Sequence, residues 1–113
     1  MNRSGKDAED VAAAFLQARK LEILVRNYRC RFGEIDLVAR DGMTLVFIEV
    51  RMRRHDRFGG AAQSITATKR AKLLRAARHY IAGMSSPPAC RFDALLIKGA
   101  DGSVEWIKNA FED

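Results

Sequence analysis

The stretch Gly33–Arg51, GEIDLVARDGMTLVFIEVR, holds two apolar runs around Asp41-Gly42, and its reading decides the fold. Asp-Gly between apolar runs is a strong β-hairpin signal. With Asp41 and Gly42 as the two turn residues, Arg40 pairs with Met43, Phe47 lies opposite Asp36 and Glu49 opposite Glu34. Alternation then puts Ile35, Leu37, Val46, Ile48 and Val50 on one face, and Val38, Leu45 and Phe47 on the other. Strands apolar on both faces lie within a sheet that is covered from both sides. Yet acids stand in or at the ends of both runs: Glu34 and Asp36 in the first, Glu49 in the second. Buried carboxylates are costly unless something pairs with them or binds them.

N-terminal to this hairpin, Ser4 is a candidate cap for a helix whose first turn carries Asp7, Glu9 and Asp10. Ala8, Val11, Ala12, Phe15 and Leu16 form its apolar stripe, and the pattern runs to about Lys20. LEILVR, Leu21–Arg26, is a short first strand, and Asn27–Phe32 a polar connection. On the other side an Arg- and Gly-rich loop closes with FGG. Thr66 then caps a second helix that ends near Met84. Leu73, Leu74, Ala77, Tyr80, Ile81 and Met84 share one side of that helix, Lys72 and Arg75 face away, and Lys69 and Arg78 flank the seam. The two prolines of GMSSPPAC end it. RFDALLIK is a fourth strand and VEWIK a fifth, at the sheet's edge. The order is α-β-β-β-α-β with a C-terminal edge strand: an α/β sandwich in a single domain spanning residues 1–113.

The 113 residues carry 20 Lys and Arg against 14 Asp and Glu, a net charge of +6, which favours polyanions, nucleic acid first and acidic membrane surfaces second. Arg51, Arg53, Arg54 and Arg57 crowd one segment, and Lys69, Arg70, Lys72, Arg75 and Arg78 line the second helix. No apolar run approaches the roughly 20 residues of a membrane span. MNRSGKDAEDVAAAF has no apolar segment after its basic start, so no secretory signal is expected. Cys30 and Cys90 form no CxxC and fit two reduced thiols of a cytoplasmic protein.

In the expected register Glu34, Asp36, Glu49 and Arg51 project from one face, and two or three carboxylates converge at the open end of the hairpin. Like charges opposed across a ladder are destabilising unless a cation sits between them. Oxygen ligands with no Cys or His nearby suit Mg²⁺ or Mn²⁺. Acids at strand ends also simply face water or pair with arginines, and the spacing leaves both readings open.

Glu9 on a helix, Arg26-Asn27, GEIDLV, FIEVR, FGGAAQSI followed by Lys69, and RFD together resemble the YraN-like family of bacterial proteins. That family is similar to archaeal Holliday-junction resolvases of the PD-(D/E)xK nuclease superfamily, and the resemblance runs from Gly5 to about Lys108. It implies a restriction-endonuclease-like three-layer core with a mixed central sheet. It also implies a metal-dependent endonuclease acting on branched or structured DNA. Asp36 matches the first acid of the motif and Glu49 the second, and both would hold a Mg²⁺ or Mn²⁺ ion. Glu9 matches an acid that points toward the metal in related resolvases, though it is a good helix-dipole partner regardless. Glu34 is a further ligand or a neighbour.

Arg51 departs from the pattern, which has Lys at that position. Lys can give up a proton when desolvated, whereas Arg in practice cannot. Arg51 still suits stabilisation of charge on a phosphate in transfer. Gln63, Ser64 and Lys69 fall where such nucleases flank the site. Gln63 would position water or phosphate. Lys69 would meet DNA backbone or serve as an ordinary solvated charge. Gly59 and Gly60 serve backbone geometry. Asp93 reads as a structural salt bridge or cap, His55 and His79 as single solvent-facing histidines, and Trp106 and Tyr80 as packing; no aromatic pattern suggests single-strand stacking. Resolvases of this kind act as homodimers because a four-way junction offers two symmetric cuts, but no stripe here marks a dimer face. The alternative to an enzyme is a non-catalytic DNA-binding module on the same fold, gripping through Arg53, Arg54, Arg57, Lys69 and Lys72, with hydrolysis weakened or lost at Arg51. A third reading is a scaffold whose basic surface meets an acidic protein.

Overall fold

The computed structural model describes residues 4–53, 66–98 and 103–111, with the side chains of residues 4–6 and 53 left out. The described elements are α1 (Ser4–Ala18), β1 (Glu22–Cys30), β2 (Gly33–Asp41), β3 (Thr44–Arg53), α2 (Ala67–Ala82), β4 (Cys90–Lys98) and β5 (Val104–Ile107). The strands form one mixed sheet in the order β1-β2-β3-β4-β5, antiparallel throughout except between β3 and β4, which run parallel and are joined through α2. The expected element order and the edge position of the fifth strand match this architecture. None of the described helices is long and apolar enough to cross a membrane.

α1 lays Ala8, Ala12 and Leu16 against Leu37, Ala39, Val46, Ile48, Leu95 and Ile97. Most of its contact face is alanine, so the helix can lie close on the sheet. Val11, expected in that stripe, is 40% exposed, and Phe15 packs only partly, edge-on to Trp106. The helix stops without a glycine. Lys20 takes a left-handed φ of 73°, Lys20 N–H donates to Gln17 O, and Leu21 N–H donates to Leu16 O. This is a Schellman closure, sealed by the contact between the buried Leu16 and Leu21.

β1 runs four residues beyond the expected Arg26, so the polar connection is strand instead. An edge strand is covered on fewer sides and tolerates polar side chains, so hydrophobicity alone hides it. The β2–β3 turn also shifts. Asp41 pairs with Thr44 in the ladder, which leaves Gly42 and Met43 at the tip, with Gly42 at φ 63°. Asp41 stays in the strand, where its carboxylate receives Arg91 Nη2 at 3.2 Å. The register therefore differs by two residues from the expected one, which changes the partners but keeps the faces: Val38 pairs with Phe47 and Leu37 with Ile48.

One face assignment does change. Ile35 packs with Val38, Phe47 and the α2 residues Leu73, Ala76 and Ala77, while Leu37 packs with α1 on the other face. Ile35 and Leu37 should share a face by strict alternation, so the pleat is broken between them. Asn27 on the neighbouring strand is left-handed at φ 57°, and it lies between the pairs Arg26–Leu37 and Tyr28–Ile35. Both strands switch faces together at that point.

α2 starts as expected: Thr66 Oγ1 accepts the Lys69 N–H at 3.1 Å. Leu73, Ala76 and Ala77 are its buried residues, whereas Met84 lies beyond its end and is 38% exposed.

Asp93 is fully buried on β4, and the bonds around it account for this. Its carboxylate accepts Arg91 Nε at 2.9 Å and Nη2 at 3.0 Å, Trp106 Nε1 at 2.9 Å and the Asn109 backbone N–H at 2.9 Å. A buried charge is tolerated when it is both paired and hydrogen-bonded. This supports the structural role expected for Asp93 and gives the indole of Trp106 its partner. Asp93→Ala would leave Arg91 without its main counter-charge and the indole N–H unbonded. It is expected to cost about 3–5 kcal/mol in urea unfolding, and a loss below about 1 kcal/mol would overturn this account of the cluster.

Candidate active site

The β2–β3 ladder ends at the pair Leu37–Ile48, and the next residue outward on each strand is an acid, Asp36 on β2 and Glu49 on β3. Beyond that pair Asp36 Oδ2 accepts the Val50 backbone N–H at 2.8 Å. A side chain thus takes a donor of the sheet edge, and the Asp36 carboxyl stands beside the charge of Glu49. Glu49 is 3% exposed, and by alternation with Phe47 it lies on the α2 face. Burial, and then the adjacent charge of Glu49, push the Asp36 carboxyl up to about 7; the Val50 N–H and Lys69 act the other way. Asp36 therefore holds its proton to near neutral pH, because a second buried anion beside Glu49 is costly.

Two cations flank the pair. Lys69 Nζ lies 2.9 Å from Glu49 Oε2, and Arg51 Nη1 lies 3.6 Å from the same oxygen. Lys69 belongs to the first turn of α2, which holds no acid. A lysine there opposes the helix dipole, and contact with Glu49 offsets that cost. The misplaced charge in the sequence was the one signal that could have identified Lys69 as a partner of the acids, rather than a DNA contact or a solvated residue.

The other candidates lie apart from this centre. Glu34, expected beside the two acids, is half exposed and ion-paired with Arg29 at 3.8 Å. Its neighbour Ile35 points into the α2-side core at the point where the alternation breaks, so the expected common projection of Glu34 and Asp36 does not hold. Glu9 is held by Arg26 at 3.6 Å, and Asp10 also contacts Arg26. Lys72 is exposed on α2. Arg53 ends β3 without a described side chain, and Arg54, His55, Arg57, Gly59, Gly60, Gln63 and Ser64 lie outside the described residues. His79, expected to stand alone, has its Nδ1 2.6 Å from the Tyr28 hydroxyl.

Among the described residues no group of three or more Asp, Glu, His or Cys gathers as a metal cage. Mg²⁺ and Mn²⁺ do not need one, since one or two carboxylates suffice when water and a substrate phosphate complete the shell. The donor set of Asp36 and Glu49 fits that requirement: both are hard oxygen ligands, side by side where the β2–β3 ladder ends.

A family model described as "Uncharacterised protein family UPF0102" matches residues 8–97. The chain belongs to UPF0102. It is 61% identical over 110 residues to the UPF0102 protein NE0719 of Nitrosomonas europaea, covering 96% of this chain and 93% of that protein. A UPF0102 protein of Nitrosospira multiformis is 56% identical over 109 residues, covering 96% and 92%. One of Methylobacillus flagellatus is 54% identical over 113 residues, covering 98% of each. These UPF0102 relatives are similar along nearly their whole length, so the resemblance to YraN-like proteins holds as a family membership.

The raised Asp36 carboxyl makes stability depend on pH. The folded state raises Asp36 from 3.8 to about 7, so between these values it binds more protons than the unfolded chain does. Stability from this group is greatest below about pH 4, declines as pH rises to about 7, and levels off above. Asp36→Asn, which mimics the protonated form, should match the wild type below about pH 4. At pH 8 it should exceed the wild type by about 2–4 kcal/mol in urea unfolding without divalent ions. Parallel pH profiles for the two proteins would refute the raised Asp36 carboxyl.

Proposed function

We propose that this UPF0102 protein is a Mg²⁺- or Mn²⁺-dependent nuclease that hydrolyses phosphodiester bonds of branched or structured DNA on a restriction-endonuclease-like core. The observation that carries this reading is the Asp36–Glu49 pair with Lys69 Nζ 2.9 Å from Glu49. Two acids from adjacent strands beside a lysine reproduce the charge pattern of the PD-(D/E)xK motif, although the lysine comes from a different element. The order of helices and strands and the net charge of +6 agree with it.

Asp36 and Glu49 would hold the divalent ion, and the Val50 N–H keeps the Asp36 carboxylate oriented. Bound there, the ion would supply a water of lowered pKa and positive charge against the scissile phosphate. Lys69 and Arg51 bring two further positive charges to the same carboxylate. With a cation on Glu49, Lys69 and Arg51 would be available to the charge that develops on the phosphate oxygens. Arg51 acts only as a fixed charge.

The competing module that binds DNA without cleaving it is favoured by one feature: the Lys69 ammonium already neutralises Glu49 without any ion.

Cleavage of a four-way junction and of linear DNA, with Mg²⁺ and with Mn²⁺, tests the proposal. Asp36→Ala and Glu49→Ala are expected to abolish cleavage while leaving DNA affinity within a few-fold, because phosphate contacts dominate affinity. Lys69→Met should lower the cleavage rate by about 10²-fold, and Arg51→Lys should keep or raise it. DNA affinity should fall steeply with salt. A wild-type protein inert on every substrate would leave the binding module, and cleavage that survives loss of both acids would remove the enzyme.

A further inference from the structure

A cleft of about 520 Å³ opens next to Lys69, between the β1–β2 turn and the first turns of α2. Arg29, Lys69 and Lys72 give it positive charge, Glu34 contributes one acid, and Cys30 and Leu73 give it an apolar portion. Its size is that of a site for a small molecule or a nucleotide. A duplex, with its bases stacked inside, would offer such a cleft only backbone.

The turn that forms one wall also carries an aromatic group. Phe32 lies between the wall residues Cys30 and Gly33, is half exposed, and has its ring centroid 5.7 Å from that of His79. The Arg31 guanidinium lies over Phe32 at 4.9 Å. His79 is exposed, and Tyr28, which is itself packed edge-on against Tyr80, anchors it by the contact between hydroxyl and Nδ1. These rings come from β1, its turn and α2, so no sequence spacing announces them. Their position is set by the helix: His79 stands ten residues after Lys69 on α2, about 15 Å at 1.5 Å per residue. Charge lies at the carboxylate end of this line, the cleft in the middle and exposed rings at the far end. A cationic groove leading to aromatic faces is the arrangement that holds single strands, phosphates on the charges and bases on the rings.

We infer that the cleft and the Phe32–His79 shelf hold an unpaired nucleic-acid strand, so that substrates reach Asp36 and Glu49 through unpaired nucleotides. The second half rests on the nuclease reading above; the first half is a binding claim that does not.

Fluorescence anisotropy with the full chain in EDTA, using labelled oligo-dT and a duplex of equal length, separates the two. Phe32→Leu keeps apolar bulk and removes the ring. It should weaken oligo-dT binding about tenfold while changing duplex binding less than twofold, with circular dichroism confirming the fold. An oligonucleotide carrying 2-aminopurine should lose fluorescence on saturation with the wild-type protein, as stacking requires. Equal losses on strand and duplex, no loss on either, or undiminished 2-aminopurine fluorescence at saturation would overturn the inference. Since EDTA removes hydrolysis from the assay, these results stand apart from the cleavage tests.

Discussion

Two carboxyl groups placed side by side at the point where β2 and β3 stop pairing set the terms for the rest of the molecule. In water such a pair would separate. Here the sheet prevents it, because the Val50 N–H holds Asp36 and the core on both sides of β3 fixes Glu49. The protein meets the resulting charge in two ways, with a proton on Asp36 and with cations from Lys69 and Arg51. A divalent ion would be a third way, competing with the first and releasing the second. On the proposed reading, the same constraint that makes the site electrostatically expensive is what would draw a metal ion and a phosphate to it.

Much of this architecture was legible in the sequence, for physical reasons that differ from element to element. The hairpin, the fourth strand and both helices announce themselves through apolar periodicity and through breakers such as Gly42 and Pro87-Pro88. Asp36 and Glu49 were identifiable as acids inside strands apolar on both faces, and through the family resemblance. What was not legible depends on tertiary context. β1 beyond Arg26 is polar because it is an edge strand. The turn shifted by one residue because Asp41 is held by Arg91. Ile35 changed faces because Asn27 and its neighbours across the ladder break the alternation together. Glu34 left the site for a related reason, since a face assignment carried through Asp36 assumes an unbroken pleat.

The basic residues divide by role in a way that total charge conceals. Arg91 is structural and committed to Asp93; Arg26 ties β1 to α1 through Glu9 and Asp10; Arg40 pairs with Glu22 across the β1–β2 ladder. Lys69 belongs to the carboxylate centre, whereas Lys72 and Arg29 border the cleft. Only part of the basic charge is thus left for any partner, and the described part of it lies along α2 and the β1–β2 turn.

The origin of the lysine changes what kind of property the site is. In a motif with acid and lysine two residues apart on one strand, the basic group arrives as soon as that strand forms. In this chain it arrives on α2, and its reach to Glu49 depends on Leu73, Ala76 and Ala77 being seated against Ile35, Val38 and Phe47. Charge compensation at the site is therefore a product of global packing rather than of local sequence. Any looseness in the interface between helix and sheet is felt first as an unpaired Glu49, and the apolar core on that side regulates the electrostatics of the centre beside it.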